Sequence, residues 1–467
     1  MARINHALSS AVLPTFYRLW LPSLVGLLAL STANIVDGLF IGNYVGATAL
    51  ASVNLIIPFF GILFGFTFML TMGGAVRAGK YIGEGNHRAA SAIFSKTLIA
   101  VIVLAALVTA MGLLFETALF RALGGTEAVF PLMQIYFRIT LGFVWVQLLV
   151  VVMYFFVRID GYPTLAAVAL IIGSAINIGL DYLFIAYFQW GIAGAAWATG
   201  ISQATPFLVL CSYFFFRHRH LHFHWRQSKW RELFSSAFNG LSEFVNEVSG
   251  SIIALLLNWL FMTRFGVEGV AAITVLNYLL VIGMMMVFSI GDAGGVFISQ
   301  NFGARQLVRI RHFLLISAFN ALVIAAISIF LLLAYTEALV SAFLGKDEEV
   351  VIALTVELLR LVWPVFAVNG LTIIVTSYLT ALHLPIPSSI IAISRGLVLP
   401  VLFLFGVFFL LPEQPFLIGI PMAELITFVM AMGLFFYYAP RPQLLDRIDP
   451  QRVAADDNLG SDGQGSP

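Results

Sequence analysis

A single cysteine, Cys211, excludes an intrachain disulfide and leaves the redox compartment unread. Charge is as scarce: Asp, Glu, Lys and Arg make up only 10% of the 467 residues, and the formal net charge is +1. So balanced a chain has no basic domain with which to grip nucleic acid, and no nucleic-acid partner is expected. Also missing are a GxxxxGK[ST] phosphate loop, an HExxH pair, a cysteine ligand set and a GxSxG serine elbow. Direct use of ATP and the corresponding hydrolytic chemistries are thereby excluded; no enzyme activity and no cofactor are expected. Segments of about ten residues with alternating polarity are lacking too, which excludes a transmembrane strand barrel.

What is present is apolar. Hydrophobic residues reach 61% and mean hydropathy is +0.99, values foreign to a water-soluble globule of this length. Runs of roughly 20 apolar residues, each enough to span the hydrocarbon layer, recur along the chain. About 12 spans are predicted, near 17–40, 52–72, 94–115, 134–157, 164–187, 192–216, 235–262, 270–290, 313–335, 353–381, 388–410 and 416–438. The expected fold is an all-α polytopic membrane protein. No small-residue cleavage site follows a short apolar core, so the first span is expected to act as its own targeting signal.

Lys and Arg are unevenly shared between alternate loops. Of the 24, 18 fall on the side that holds both termini, among them Arg77, Lys80, Arg88, Arg217, Arg305 and Arg309; the opposite loops hold Arg121, Arg264 and Lys346. The positive-inside rule makes the basic side cytoplasmic, with both termini there, in a bacterial-type inner membrane.

The chain also repeats itself. VGATALASVN at 45–54 aligns with FGVEGVAAIT at 265–274, and at the same offset of 220 YIGEGN from Tyr81 meets NFGARQ from Asn301, pairing Gly83 with Gly303. Two six-span lobes result, 1–216 and 232–440, joined by a basic linker at 217–231 and followed by a polar tail at 441–467 that is expected to be disordered. Six spans per lobe return the chain to one side, so the lobes are parallel repeats with a cavity expected between them. The histidines at 218, 220, 222 and 224 allow metal binding or a solvated, lipid-facing basic segment; the second is expected.

Within the first lobe, Asp37 and Asp181 each place a carboxylate in an otherwise apolar span, where charge is costly and marks an ion or substrate path. Asn34 lies three residues before Asp37 and Asn177 four before Asp181, so each pair shares a helix face; Thr199 on the sixth span reaches a similar depth. Two carboxylates close together in low dielectric cannot both stay charged cheaply, so one takes a proton or the pair holds a cation. Sodium would be served by the same oxygens, with the Asn177 amide and Thr199 hydroxyl completing the shell. The plain alternative is that Asp37 caps a helix and Asp181 pairs with a polar neighbour.

The residues now assembled resemble the multidrug and toxic compound extrusion (MATE) transporters, in particular their DinF-like branch within the MOP flippase superfamily. The resemblance runs over nearly all of 14–440 and is carried by Pro22, IVDGLFIGNYVGATALA at 35–51, DGYP at 160–163, NIGLDYLF at 177–184, GIAGAAWAT at 191–199 and the GEGN loop. It implies a cation site in the N-terminal lobe at Asp37, Asn177, Asp181 and Thr199. It also implies that Pro22 bends the first helix as occupancy of that site changes; a mid-span proline frees backbone groups and permits such a kink.

The second half carries its own acids. Glu247 lies near mid-span with Glu243 one turn earlier, and Glu424 lies in the last span; the resemblance implies coupling or drug binding for an acid at about the Glu247 position, Glu424 is a similar candidate, and Glu243 reads as a solvated rim residue. Asp292 and Glu357 read as interfacial anchors. Arg395 enters the eleventh span and needs a partner that the sequence does not name. Tyr278, Met284, Met285, Met286, Phe288, Trp363, Phe366 and Tyr378 offer soft walls for a pocket that accepts many shapes. Prolines at 22, 58, 206, 364, 400 and 421 mark places where helices can kink.

The expected function is secondary active export: inward flow of protons or sodium ions through the Asp37/Asp181 site drives expulsion of amphipathic organic cations by alternating access. The partners are small-molecule drugs and the lipid bilayer, and a monomer is expected. A lipid-linked oligosaccharide or peptidoglycan-precursor flippase would need a strongly basic cavity, for which Arg138, Arg360 and Arg395 are the candidates. An Asp37/Asp181 protease dyad leaves the duplication unexplained, and an ion channel lacks a pore motif.

Overall fold

The apolar runs fold as long helices because a backbone in lipid can satisfy its polar groups only within itself. The computed structural model describes residues 6–224, 230–341, 349–411, 413–441 and 444. We number the spanning helices α1 (Val12–Val45), α2 (Thr48–Gly83), α3 (His87–Leu114), α4 (Phe130–Ile159), α5 (Pro163–Tyr187), α6 (Gly191–Cys211), α7 (Leu241–Gly266), α8 (Glu268–Gly303), α9 (Leu307–Ala334), α10 (Pro364–Ala381), α11 (Pro385–Leu410) and α12 (Phe416–Tyr437). All but α6 are long and apolar enough to cross a bilayer unaided. In α6, Gly, Thr, Ser and Gln dilute the apolar character, and the helix is sheltered by packing on α4 and α5. The protein is thus a 12-helix membrane protein of two lobes.

Helices extend beyond several predicted spans, and two boundaries change. The seventh span begins at Leu241, behind a separate amphipathic helix, Trp230–Asn239, that packs on α2. The tenth splits at Pro364, which has no N–H for the preceding turn: Glu349–Val362 forms one helix and α10 another. Residues 225–229 of the linker and, apart from Arg441 and Leu444, the predicted disordered tail lie outside the described residues.

The duplication reappears as backbone geometry. Gly46 between α1 and α2 and Gly266 between α7 and α8, 220 residues apart, both take positive φ (112° and 65°). Gly85 and Arg305, again 220 apart, turn the chain into α3 and α9 with φ of 75° and 56°. The fourth helix of each half, α4 and α10, is the enclosed centre of its lobe: 72% and 67% of their apolar windows are buried, against at most 44% in any other span identified by hydropathy.

The lobes meet most tightly at the end that carries both termini and the linker, called here the basic end. There Arg309 of the second lobe donates to the carbonyls of Ala7 and Ser10 of the first. The α2 and α8 termini cross with their backbones in contact. A Cβ on Gly83 would sit 2.0 Å from the Gln300 carbonyl oxygen, and one on Gly303 2.1 Å from that of Lys80, two contacts related by the repeat.

The described part of the linker is pinned to α3 through its backbone, while the side chains of His218, His222 and His224 stay exposed. Its histidines alternate because an extended strand presents the N–H and C=O of every second residue to one neighbour, and α3 offers two serines one turn apart. His222 N–H donates to Ser91 Oγ and His224 N–H to Ser95 Oγ, while the two hydroxyls donate back to the His220 and His222 carbonyls. Asp160 accepts from the His220 backbone N–H at 3.0 Å and from the Tyr213 hydroxyl at 2.7 Å, and its second oxygen lies 2.9 Å from His220 Nδ1.

Gly83→Ala and Gly303→Ala should each force the α2 and α8 ends apart, at an overpacking cost of about 1–3 kcal/mol, and lower the thermal unfolding midpoint of the purified protein. Gly433→Ala, where a Cβ meets nothing within 4 Å, should leave the midpoint unchanged.

Candidate functional site

Four helices of the N-terminal lobe converge on one polar cluster. Asp37 lies in the last third of α1, four residues before the helix loosens into a π-helical turn at Ile41–Val45; Asp181 lies on α5 immediately before another, Tyr182–Tyr187. Such turns gather at functional sites because the extra residue re-aims side chains and frees backbone groups. α1 and α5 pack along their length, which brings the Asp37 and Asp181 carboxyls within interaction range of each other. Asp181 is fully buried, Asn177 is buried one turn away on the same face, and Asp37 is half-buried. Thr199 reaches the cluster from α6 and, from α4, so does Tyr136, which faces both carboxylates and whose hydroxyl lies against Thr199 and Thr140.

The cluster is short of partners. Asp37 Oδ1, both carboxylate oxygens of Asp181, Thr199 Oγ1, Thr140 Oγ1 and, seven residues before Asp181 on α5, Ser174 Oγ are buried without a hydrogen bond. Buried polar atoms in a folded protein are nearly always paired, so a group of orphaned oxygens on four helices describes room for something electropositive. A proton shared between the carboxyls would meet part of that demand, and a small hard cation would meet it with the same oxygens. Asp37 makes no side-chain cap at that helix end, the polar neighbour that Asp181 faces is Asp37 itself, and no cation pairs with either acid among the described ion pairs.

Asn34, expected beside Asp37, is exposed on α1. Pro22 sits inside α1 between its basic end and Asp37. Tyr136 and Thr140 had escaped the sequence reading; the signal available was a hydroxyl pair at i,i+4 in a span otherwise apolar. Tyr278 of α8 approaches from the other lobe, its hydroxyl 3.6 Å from where a Cβ on Gly38 would stand.

The acids of the second half form a separate network. Arg395, on a π-helical turn of α11, donates to Asn246 Oδ1 at 3.1 Å, which supplies the partner the sequence could not name. Glu243 faces the same Asn246 and Arg395, so it is part of the network and not a solvated rim residue. Glu247, one turn on, is accessible yet closely surrounded by protein, as a cleft-facing side chain is. Glu424 is buried and accepts from Asn369 Nδ2 at 3.0 Å. Asp292 is not an interfacial anchor: it is buried and paired with Arg158 of the other lobe. Glu357 and Arg360 are exposed. Of the proposed pocket walls, Phe366 and Tyr378 are buried, Phe366 against Gly283 and Tyr378 with its hydroxyl on the Tyr438 carbonyl, whereas Met284, Met285, Met286, Phe288 and Trp363 remain half-buried. Among the described residues no three His, Cys, Asp or Glu side chains gather as a metal cage.

The family model MatE matches residues 22–183 and 245–405, one segment in each lobe. The chain belongs to the MatE family. It is therefore a multi-pass membrane transporter of the multidrug-efflux type. Among relatives of this MatE protein, the "Probable multidrug resistance protein YoeA" of Bacillus subtilis is 25% identical over 433 residues, covering 91% of this chain and 93% of that one. The "FAD transporter" of Shewanella oneidensis is 27% identical over 387 residues, covering 80% and 83%. In fold, the MatE chain is similar to a structure described as the outward-facing conformation of a multidrug resistance MATE family transporter of the MOP superfamily, with a TM-score of 0.86 at 22% identity over 94% of this chain and 99% of that one.

Each cluster hydroxyl should contribute a hydrogen bond to the charged group that fills the site, roughly 1.5–3 kcal/mol or tenfold and upward in affinity. Thr199→Val and Tyr136→Phe should each weaken cation-dependent thermal stabilisation of the purified protein by that factor, and Asp181→Asn should abolish it.

Proposed function

We propose that this MatE protein is an antiporter in which protons or sodium ions moving inward through the Asp37/Asp181 site drive the export of amphipathic organic cations. The observation that carries the reading is the pair of facing carboxylates with orphaned oxygens on four helices of one lobe. Asp37, Asn177, Asp181 and Thr199 hold the ion, with Tyr136 as a further ligand-bearing wall; Pro22 gives α1 its hinge; Glu247 and Glu424 serve the second lobe as acids toward the cargo. Asn34 takes no direct part. Loading of the ion and loading of the drug favour different arrangements of the lobes, so each is released as the other binds. The basic end faces the cytoplasm of a bacterial-type cell, both termini lie there, and the monomer is the working unit without cofactor, nucleic acid or covalent chemistry.

Charge separates this reading from its rivals. A flippase for a pyrophosphate-linked sugar needs cations free to meet its headgroup. Arg138, however, is engaged by Glu116 in a two-point contact at 3.1 and 2.8 Å, Arg360 is exposed, and Arg395 sits among Glu243, Asn246 and Glu424. Transport of a dianionic flavin nucleotide, the cargo named for the Shewanella relative, meets the same objection. An excess of buried acid over free base suits a cationic cargo.

The test is efflux of a fluorescent organic cation from proteoliposomes under an imposed proton gradient and, separately, an imposed sodium gradient. One gradient should drive efflux, and Asp37→Asn and Asp181→Asn should each reduce it to the level of empty liposomes while inserting normally. Undiminished efflux from both variants overturns the site assignment. Absence of efflux under either gradient, with translocation of a lipid-linked sugar instead, establishes the flippase.

A further inference from the structure

Between the lobes at the basic end lies a cavity of about 350 Å³, within the size range of small-molecule sites. α1 and α8 form two of its walls, and their contact is fixed by Trp20 Nε1, which donates to Ser289 Oγ at 2.9 Å. The turn between α4 and α5 and the start of the linker close other sides. Leu19, Ile82, Phe216, Val296 and Phe297 give it apolar walls, among which Arg18, Arg158, Asp160 and Gln300 set polar groups. None of the lining belongs to the Asp37/Asp181 cluster.

The polar groups are unevenly provided for. Arg158 is fully buried and gives Nη1 to Asp292 of α8, yet its Nε and Nη2 find no acceptor. Those two donors are the side face of the guanidinium, the fork that takes a planar carboxylate at two points. Arg138 holds Glu116 through the same two atoms, at 3.1 and 2.8 Å. A desolvated ion pair that leaves donors unmet is close to break-even in stability, so a second acid on Arg158 is favoured. Gln300, 3% exposed, donates Nε2 to the Ile159 carbonyl at 2.7 Å and keeps Oε1 buried without a donor. Arg18 is exposed, and among the described residues its guanidinium pairs with nothing. Asp160 makes no demand on either arginine, because the Tyr213 hydroxyl and His220 already occupy its oxygens.

The fold itself does not require these charges. LHLP at 382–385, between α10 and α11, stands where DGYP stands at 160–163, and His383 takes a positive φ of 59° as Gly161 takes one of 88°. In that second copy of the turn, Thr380 and Leu382 occupy the positions of Arg158 and Asp160. The repeat therefore builds the same turn without an arginine or an acid, and the charged version is a feature of this cavity.

We propose that the cavity is a binding site for a small organic monocarboxylate that carries a hydroxyl or amino donor on an apolar body. Its carboxylate bridges the Arg158 fork and Arg18, its donor meets Gln300 Oε1, and its body fills the apolar walls. A phosphate dianion suits the site less well: Asp160 and Asp292 already balance the two guanidinium groups, so a second negative charge has nothing to meet it. Arg158 belongs to one lobe and Gln300 to the other, so the bound acid holds the basic end closed. It acts as an effector, apart from the acids assigned to the ion and the cargo.

The test measures binding of radiolabelled benzoate, 3-hydroxybenzoate and 4-hydroxybenzoate to the purified full chain in nanodiscs, with inorganic phosphate as competitor. At least one hydroxybenzoate should bind saturably and more tightly than benzoate, and phosphate should compete poorly. Arg18→Gln should weaken binding about tenfold, the scale of one charged hydrogen bond, and Arg158→Lys, which keeps a cation for Asp292 but has no fork, should weaken it at least as much. Gln300→Leu should bring the hydroxybenzoate down to the level of benzoate. Asp181→Asn should bind the acid undiminished, so this site and the ion site stand or fall separately. With spin labels on Arg88→Cys and Val308→Cys in a Cys211→Ser background, the saturating acid should enlarge the population with the shorter distance across the basic end. Absence of saturable binding leaves the cavity to water and overturns the proposal, as does unchanged binding in Arg18→Gln and Arg158→Lys. Phosphate displacing the acid at equal concentration overturns the carboxylate assignment, and distances that ignore the acid overturn the effector role. If Arg158→Lys fails to insert, Arg18→Gln, at an exposed position, decides alone.

Discussion

A carboxylate withdrawn from water must be met by charge or by hydrogen bonds, and Asp181 is met by neither from the protein itself. Its orphaned oxygens, facing Asp37 across the α1 and α5 interface, are the constraint on which the rest depends. Elsewhere in the protein acids are provided for: Glu116 by Arg138 and Gln134, Asp160 by His220 and Tyr213, Glu424 at one oxygen by Asn369. The contrast makes the N-terminal cluster a place where the folded chain is incomplete without an added positive charge. An incomplete site pays for its cost only when occupied, and that is what a transport cycle can exploit.

Such a site does work only if its filling is felt at the gate. Close-packed interiors are bistable and not continuously deformable, so a local change propagates where rigid elements have two arrangements. The crossing of α2 and α8 at Gly83 and Gly303 is one arrangement, tight enough to exclude a single methyl group. The repeat makes it symmetric, and the lobes can therefore hinge about it as two similar bodies. α1, α4 and α8 break that symmetry. The Trp20 and Arg158 contacts join the site-bearing lobe to its copy and have no counterpart described in the reverse direction.

The fold was legible because lipid makes few allowances: apolar runs of spanning length must be helices, and duplicated glycines at one offset must mark duplicated turns. Asp37, Asn177, Asp181 and Thr199 were legible for a related reason, since acid, amide and hydroxyl at helical spacing stand out where everything else is apolar. Tyr136 did not stand out in a chain with 14 tyrosines and 43 phenylalanines, where an aromatic in a span is ordinary. Asp292 was misread because proximity to a predicted span end suggested solvent; α8 runs on to Gly303, and the turn in question is covered by the other lobe. The pinning of the linker backbone was not legible, because a basic, His-rich composition says nothing of two serines on α3 that match its period.

Arg158 shows what composition hides most completely. At the end of a span it reads as one more cytoplasmic positive charge, of the kind that sets topology. In the folded chain it is among the largest fully buried side chains and bridges the two lobes. Both roles are physically consistent: a charge retained on one side during insertion is afterwards enclosed when the lobes close over it. Opening the basic end would return it to water, which lowers the cost of separating the pair from Asp292. The same desolvation that makes the closed state marginal thus makes the open state accessible.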